Sequence, residues 1–146
     1  MPLPVILLVE DRLDDRTMFA DALAASRLQA SLVTAASATE AVHYLSNQRD
    51  PAVPGARLPS LIVLDLGLPG ISGASFLRII RAAYSPRDIP IAVLTGSQRN
   101  EDQATCESWG ISDFLVKPTD RADLVRWIRS LWRFLPASAA EAEGAR

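Results

Sequence analysis

Short apolar runs alternate with longer stretches of helical spacing along the 146-residue chain. The runs are VILLV at 5–9, LVTAA at 32–36, LIVL at 61–64, IAVL at 91–94 and FLV at 114–116. They are continuous rather than alternating, the pattern of strands covered on both faces. Apolar residues at helical spacing predict helices over about 14–26, 38–47, 73–83, 98–109 and 119–135. Five strands alternating with five helices predict an α/β fold: a doubly wound parallel sheet with helices on both faces. The stretch 47–60, with Pro51, Pro54, Gly55 and Pro59, has no period and reads as a surface loop. From Pro136 the chain turns to Ala, Ser and Glu without large apolar groups. The expected organisation is therefore one domain over 1–135 and a flexible tail over 136–146.

Composition narrows the function classes. A net charge of -2 leaves no basic excess for phosphate neutralisation, so neither nucleic acid nor an anionic membrane is the expected partner. One cysteine, Cys106, and one histidine, His43, cannot build a zinc cage. Cys106 reads as helix packing and His43 as a surface residue. The opening Met-Pro-Leu-Pro lacks a charged leader, and its apolar run stops at Glu10 and Asp11, so a cytoplasmic location is expected. Of the 15 basic residues only Lys117 is lysine, which marks it as a place where a compact ammonium is required.

The polar residues that close the strands carry the candidate chemistry. The first strand ends in Glu10 and Asp11, the third in Asp65, the fourth in Thr95 and the fifth in Lys117. In open α/β sheets ligands bind beyond the carboxyl ends, where the strand order reverses; in the order 2-1-3-4-5 that point lies between strands one and three. Glu10, Asp11 and Asp65 would then share one crevice. Three carboxylates there require a proton or a cation, and an all-oxygen donor set suits Mg2+. Asp65 beside such an ion can attack phosphorus, and the transferred group spreads charge over three oxygens. The ion, the Lys117 ammonium and the Thr95 hydroxyl could each take one. Acidic residues after strands are often only caps or turns, and Asp14 reads as such a cap; the joint placement of the others is what points to a site.

In this order the motifs L-V-E-D at 8–11, L-D-L-G-L-P-G-I-S-G at 64–73, V-L-T-G at 93–96 and F-L-V-K-P at 114–118 resemble the receiver domains of two-component response regulators. The resemblance spans about residues 5–135 and implies a flavodoxin-like five-stranded sheet. It implies metal binding by Glu10, Asp11, Asp65 and the Gly67 carbonyl, with Asp65 as phosphoacceptor. Thr95 and Lys117 would hold the phosphoryl group, Thr95 and Phe114 would act as the switch pair, and the Lys117–Pro118 peptide would be cis. The implied function is a signalling switch rather than a metabolic enzyme, with a sensor histidine kinase as phosphodonor and a histidine phosphotransfer protein as a possible next acceptor. Glu10 stands where aspartate is commoner. Gly67 and Ser97 are small where many relatives carry polar side chains that place the hydrolytic water, which bears on phosphoryl lifetime. The long loop before strand three, the V-E-D-x-x-x-D opening with Asp15, and the lack of an output domain resemble the regulators that serve phytochrome-type kinases, so a bacteriophytochrome is the candidate donor. The rival readings are an aspartyl-phosphate phosphohydrolase, a nucleotide-binding flavodoxin-like domain and a scaffold that is never phosphorylated. Phosphohydrolases commonly carry a second aspartate where Gly67 stands, and no phosphate-binding G-x-x-x-x-G-K-S/T loop follows strand one.

The last helix predicts a further surface. At ~100° per residue, Leu124, Ile128, Leu131 and Leu135 form a stripe toward the sheet. Val125 and Trp132 widen it on one side, Trp127 and Phe134 on the other, while Arg126, Arg129 and Arg133 hold the opposite face. An arc wider than the core needs, rich in aromatics, predicts a homodimer interface including Trp127, Leu131 and Phe134.

Overall fold

The computed structural model describes residues 3–96 and 100–136. Five strands and five helices alternate: β1 (Val5–Val9), α1 (Leu13–Ser26), β2 (Ser31–Ala35), α2 (Ala38–Arg49), β3 (Leu61–Leu64), α3 (Gly73–Ala83), β4 (Ile91–Thr95), α4 (Asn100–Ser108), β5 (Asp113–Val116) and α5 (Arg121–Ser130). A 3-10 turn, Leu131–Phe134, follows α5 directly. The strands form one parallel sheet in the order β2-β1-β3-β4-β5, the predicted topology.

The continuous apolar runs of β1, β3 and β4 are the buried centre of the sheet, and period two along each divides their side chains between two cores. Leu7, Val9, Ile62, Leu64, Ile91 and Val93 pack with Leu45 of α2, Phe76 and Ile80 of α3 and Cys106 of α4. Ile6, Leu8, Leu61, Val63, Ala92 and Leu94 pack with Phe19 of α1 and Leu124 and Ile128 of α5. Cys106 is wholly buried and His43 exposed, as their sequence contexts predict.

Three local expectations are corrected. Helix α2 runs to Arg49, so the loop before β3 starts at Asp50 rather than at 47. Asp14 is not a cap: the N-cap of α1 is Arg12, which makes no side-chain capping bond, and Asp14 lies in the first turn. The final helix stops at Ser130 rather than 135, because the chain tightens into the 3-10 turn. Three residues per turn instead of 3.6 rotates every later side chain. Leu131 is wholly buried with Ile128, as the stripe toward the sheet predicts, and so is core and not interface. Trp127 and Phe134 are half-buried against the same core, whereas Trp132 is 44% exposed. Asp113 of β5 ties this end down: its Oδ2 accepts from Trp127 Nε1 at 3.0 Å and from an Arg133 guanidinium nitrogen at 2.8 Å.

Candidate functional site

The carboxyl ends of β1 and β3 meet because the strands are in register, Val9 opposite Leu64. The Asp65 N–H donates to the Val9 carbonyl at 3.0 Å, and the Glu10 N–H donates to Ala35 of β2 at 3.0 Å. Each strand thus delivers its polar residue one step past its last apolar one. On the other side of β3, the Lys117 N–H donates to the Thr95 carbonyl at 2.7 Å, which extends the β4–β5 ladder and brings the lysine over the crevice.

A glycine fixes the segment after Asp65. A Cβ at Gly73, the first residue of α3, would stand 2.3 Å from Leu66 Cα and 2.6 Å from the Asp65 carbonyl oxygen. Only glycine lets the helix start this close to the site. Gly70, at φ +72°, makes the intervening turn, and the Ser72 hydroxyl caps α3 by accepting from the Ser75 N–H.

The Lys117 ammonium is the hub. Its Nζ lies 2.7 Å from Glu10 Oε1, 2.8 Å from Asp15 Oδ2 and 3.2 Å from Asp65 Oδ2. The other oxygen of Asp65 accepts from the Gly67 N–H at 3.1 Å, and Glu10 Oε2 accepts from the Arg12 N–H at 3.3 Å. An Arg16 guanidinium nitrogen donates to the Glu10 carbonyl at 3.0 Å. Glu10, Asp65 and Thr95 are buried. Burial pushes the Glu10 carboxyl up to about 7, helped by the charge of Asp65 and opposed by its bond to Lys117. Burial pulls Lys117 down, but the bonds from Asp15 and Glu10 and the charges of Asp65 and Glu10 overcome it and hold the ammonium above its ordinary range.

Each of Glu10, Asp11 and Asp65 offers one oxygen within 4.8 Å of the others. One ammonium cannot neutralise this set together with Asp15, so the crowded carboxylates fit a divalent cation. The donors are oxygen only, which suits Mg2+ rather than zinc.

Glu10, Asp11, Asp65 and Lys117 therefore converge as expected, with Thr95 buried at the end of the neighbouring strand. Phe114 is half-buried in β5 against the core of α2, α3 and α4. The expected cis peptide at Pro118 is corrected: no cis bond occurs among the described residues. X–Pro bonds favour trans intrinsically, and from the trans backbone Lys117 already reaches all three carboxylates. Ser97 lies outside the described residues. Asp15 is the residue whose contact the sequence reading missed; it is the third residue of α1, on the first turn, and meets the lysine from there.

The sequence matches the response regulator receiver domain family over residues 6–129. The chain belongs to that family. The phosphate regulon transcriptional regulatory protein PhoB of Escherichia coli is 35% identical over 83 residues, which cover 57% of this chain and 36% of PhoB. The receiver domain thus matches only about a third of the length of that relative. Response regulator Rcp1 of Synechocystis is 29% identical over 133 residues, 91% of this chain and 89% of Rcp1. The Mn(2+)-bound crystal structure of Rcp1 superposes with a TM-score of 0.73 at 28% identity, covering 91% of this chain and 99% of that one. The crystal structure of the phosphorylated cyanobacterial phytochrome response regulator RcpA gives 0.77 at 28% identity, covering 91% and 94%. No helix among the described residues is long and apolar enough to cross a membrane.

Proposed function

We propose that this receiver domain is a phosphorylation-controlled switch that takes one phosphoryl group from the phosphohistidine of a sensor histidine kinase onto Asp65. The observation that carries this is the aim of the Asp65 carboxylate: buried at the strand end, with the Gly67 N–H on one oxygen and Lys117 Nζ at 3.2 Å from the other. A carboxylate oxygen needs no general base to attack phosphorus. An Asp65 oxygen bonds to phosphorus as the phosphorus–nitrogen bond breaks, and the imidazole keeps the electron pair. Mg2+ held by Glu10, Asp11, Asp65 and the Gly67 carbonyl would supply positive charge for the transferring group. Lys117 and the Thr95 hydroxyl donate to its remaining oxygens. Thr95 and Phe114, on adjacent strands, then carry the change to the α4–β5 surface.

Gly67 disfavours the phosphohydrolase reading, because it has no side chain to serve as a general acid. The intact acidic set disfavours an unphosphorylated scaffold. The likeness to Rcp1 and RcpA along nearly the whole chain supports a phytochrome-type kinase as donor, and a histidine phosphotransfer protein is a fitting onward acceptor. A homodimer through the α5 end belongs to the same reading, now resting on exposed Trp132 rather than on Leu131; sedimentation of wild type and Trp132→Ser, with and without phosphodonor, tests it. A small phosphodonor with Mg2+ should label wild type and leave Asp65→Asn unlabelled. Equal labelling of both would refute the assignment.

A further inference from the structure

Asp15 belongs neither to the metal cluster nor to the groups that meet the phosphoryl. Yet its Oδ2 lies 2.8 Å from Lys117 Nζ, closer than the 3.2 Å that separates this nitrogen from Asp65. The residue sits on the first turn of α1, where the helix N-terminus favours a carboxylate. Its other cationic neighbour is Arg12, at 3.7 Å. That guanidinium side chain is 69% exposed, so solvent screens the pair and leaves Asp15 available to the lysine. A cavity of about 110 Å³ adjoins the ammonium, lined by Glu10, Asp15, Met18, Leu94, Lys117 and Pro118 among others. The lysine side chain has room to swing between α1 and β3.

An ammonium has three donors, and Glu10, Asp15 and Asp65 take all three. On the reading of Asp65 as phosphoacceptor, a phosphoryl oxygen must win one of them. Glu10 is in the metal set, and a cation there would draw it from the lysine. Asp15 has no such alternative and stays a full anionic competitor. We infer that Asp15 is a positioning residue that holds Lys117 toward α1 and so weakens the lysine's hold on the phosphoryl group, setting how strongly the phosphorylated state is favoured. The device acts through Lys117 alone.

The test uses the full chain with beryllofluoride and Mg2+, a phosphoryl mimic that binds a carboxylate oxygen. Asp15→Asn keeps the side chain's shape and removes its charge, and Asp15→Ala removes the acceptor altogether. Asp14→Asn, at an exposed position in the same turn that does not contact Lys117, removes an equal charge nearby. Calorimetry should show both Asp15 variants binding beryllofluoride about three- to fivefold more tightly than wild type, the size of one partly exposed ion pair. Asp14→Asn should stay near wild type, and Asp15→Glu should restore wild-type affinity. In fluorine NMR the resonance of the fluoride facing Lys117 should move in Asp15→Asn and not in Asp14→Asn. Equal tightening in Asp14→Asn, or unchanged or weakened binding in the Asp15 variants, would overturn the inference while leaving Asp65 as acceptor intact. A wild type that binds no beryllofluoride would overturn both.

Discussion

Replacing Lys117 by methionine keeps the length and apolar stem of the side chain and deletes the ammonium. Three contacts are lost, at 2.7, 2.8 and 3.2 Å. At an effective dielectric of about 20, each pair attracts by roughly 5 to 6 kcal/mol before the cost of desolvation. Removing one partner of a wholly buried pair costs about 3–5 kcal/mol, because the other charge is left behind. Two features reduce the figure here. The Lys117 side chain is 25% exposed, and Glu10, already pushed up to about 7, can take a proton once the ammonium is gone. A loss of about 2 kcal/mol at pH 8 in chelator follows, or about 4 to 8 °C in Tm for a domain of this size. The loss should shrink at pH 6, where Glu10 protonates readily. Saturating Mg2+ should restore more stability to the variant than to wild type, because the cation neutralises the same carboxylates. Thermal and urea unfolding at both pH values, with and without Mg2+, would check this. A variant as stable as wild type at pH 8 without metal, or a loss independent of pH, would refute the reasoning that the lysine holds these anions together.

Glu10 predicts a pH dependence of metal binding. Its carboxyl is raised from 4.5 to about 7 in the fold, so the metal-free protein holds a proton that the unfolded chain has released; the stability this contributes is present at low pH and lost as pH rises through about 7. Mg2+ must displace that proton, so affinity should rise from pH 6 to pH 8 with proton release measurable by calorimetry in buffers of different ionisation heat, and equal affinity at both would contradict it. Gly73→Ala should lose about 1–3 kcal/mol in urea unfolding despite alanine's better helix propensity, since the new methyl meets the Leu66 and Asp65 backbone. Phosphoryl acceptance at Asp65 should slow with it. At Gly67 a Cβ meets only Asp65 Oδ1, at 3.7 Å, so Gly67→Asn should fold normally and change the decay rate of the phosphorylated form. An unchanged decay would mean that this position does not place the hydrolytic water.

Much of the architecture was legible because β1, β3 and β4 are covered on both faces and so read as unbroken apolar runs. The strand order then brought Glu10, Asp11 and Asp65 together, and the ladder from Thr95 to Lys117 brought in the lysine. What escaped depended on local geometry that periodicity does not encode. Counting at ~100° per residue put Leu131 in the stripe toward the sheet, where it lies, and adding it to the interface as well went beyond that count. The end of α5 at Ser130, where the chain tightens into a 3-10 turn, was not legible in the apolar spacing. Asp14 and Asp15 are the same residue type side by side. Only the phase of α1 against β5 decides that the second meets Lys117 and the first meets solvent. The cis bond at Pro118 came from resemblance alone.

Reductive trapping of the labelled residue tests the central claim most directly. Borohydride cleaves an acyl phosphate and converts the phosphorylated aspartate to homoserine, which peptide mass mapping can locate. After treatment with a phosphodonor and Mg2+, homoserine should appear at position 65 and at no other acidic residue, and chelation of the metal should abolish it. Homoserine at Asp11 or Asp15, or none at position 65 in protein that carries a phosphoryl group, would contradict the account.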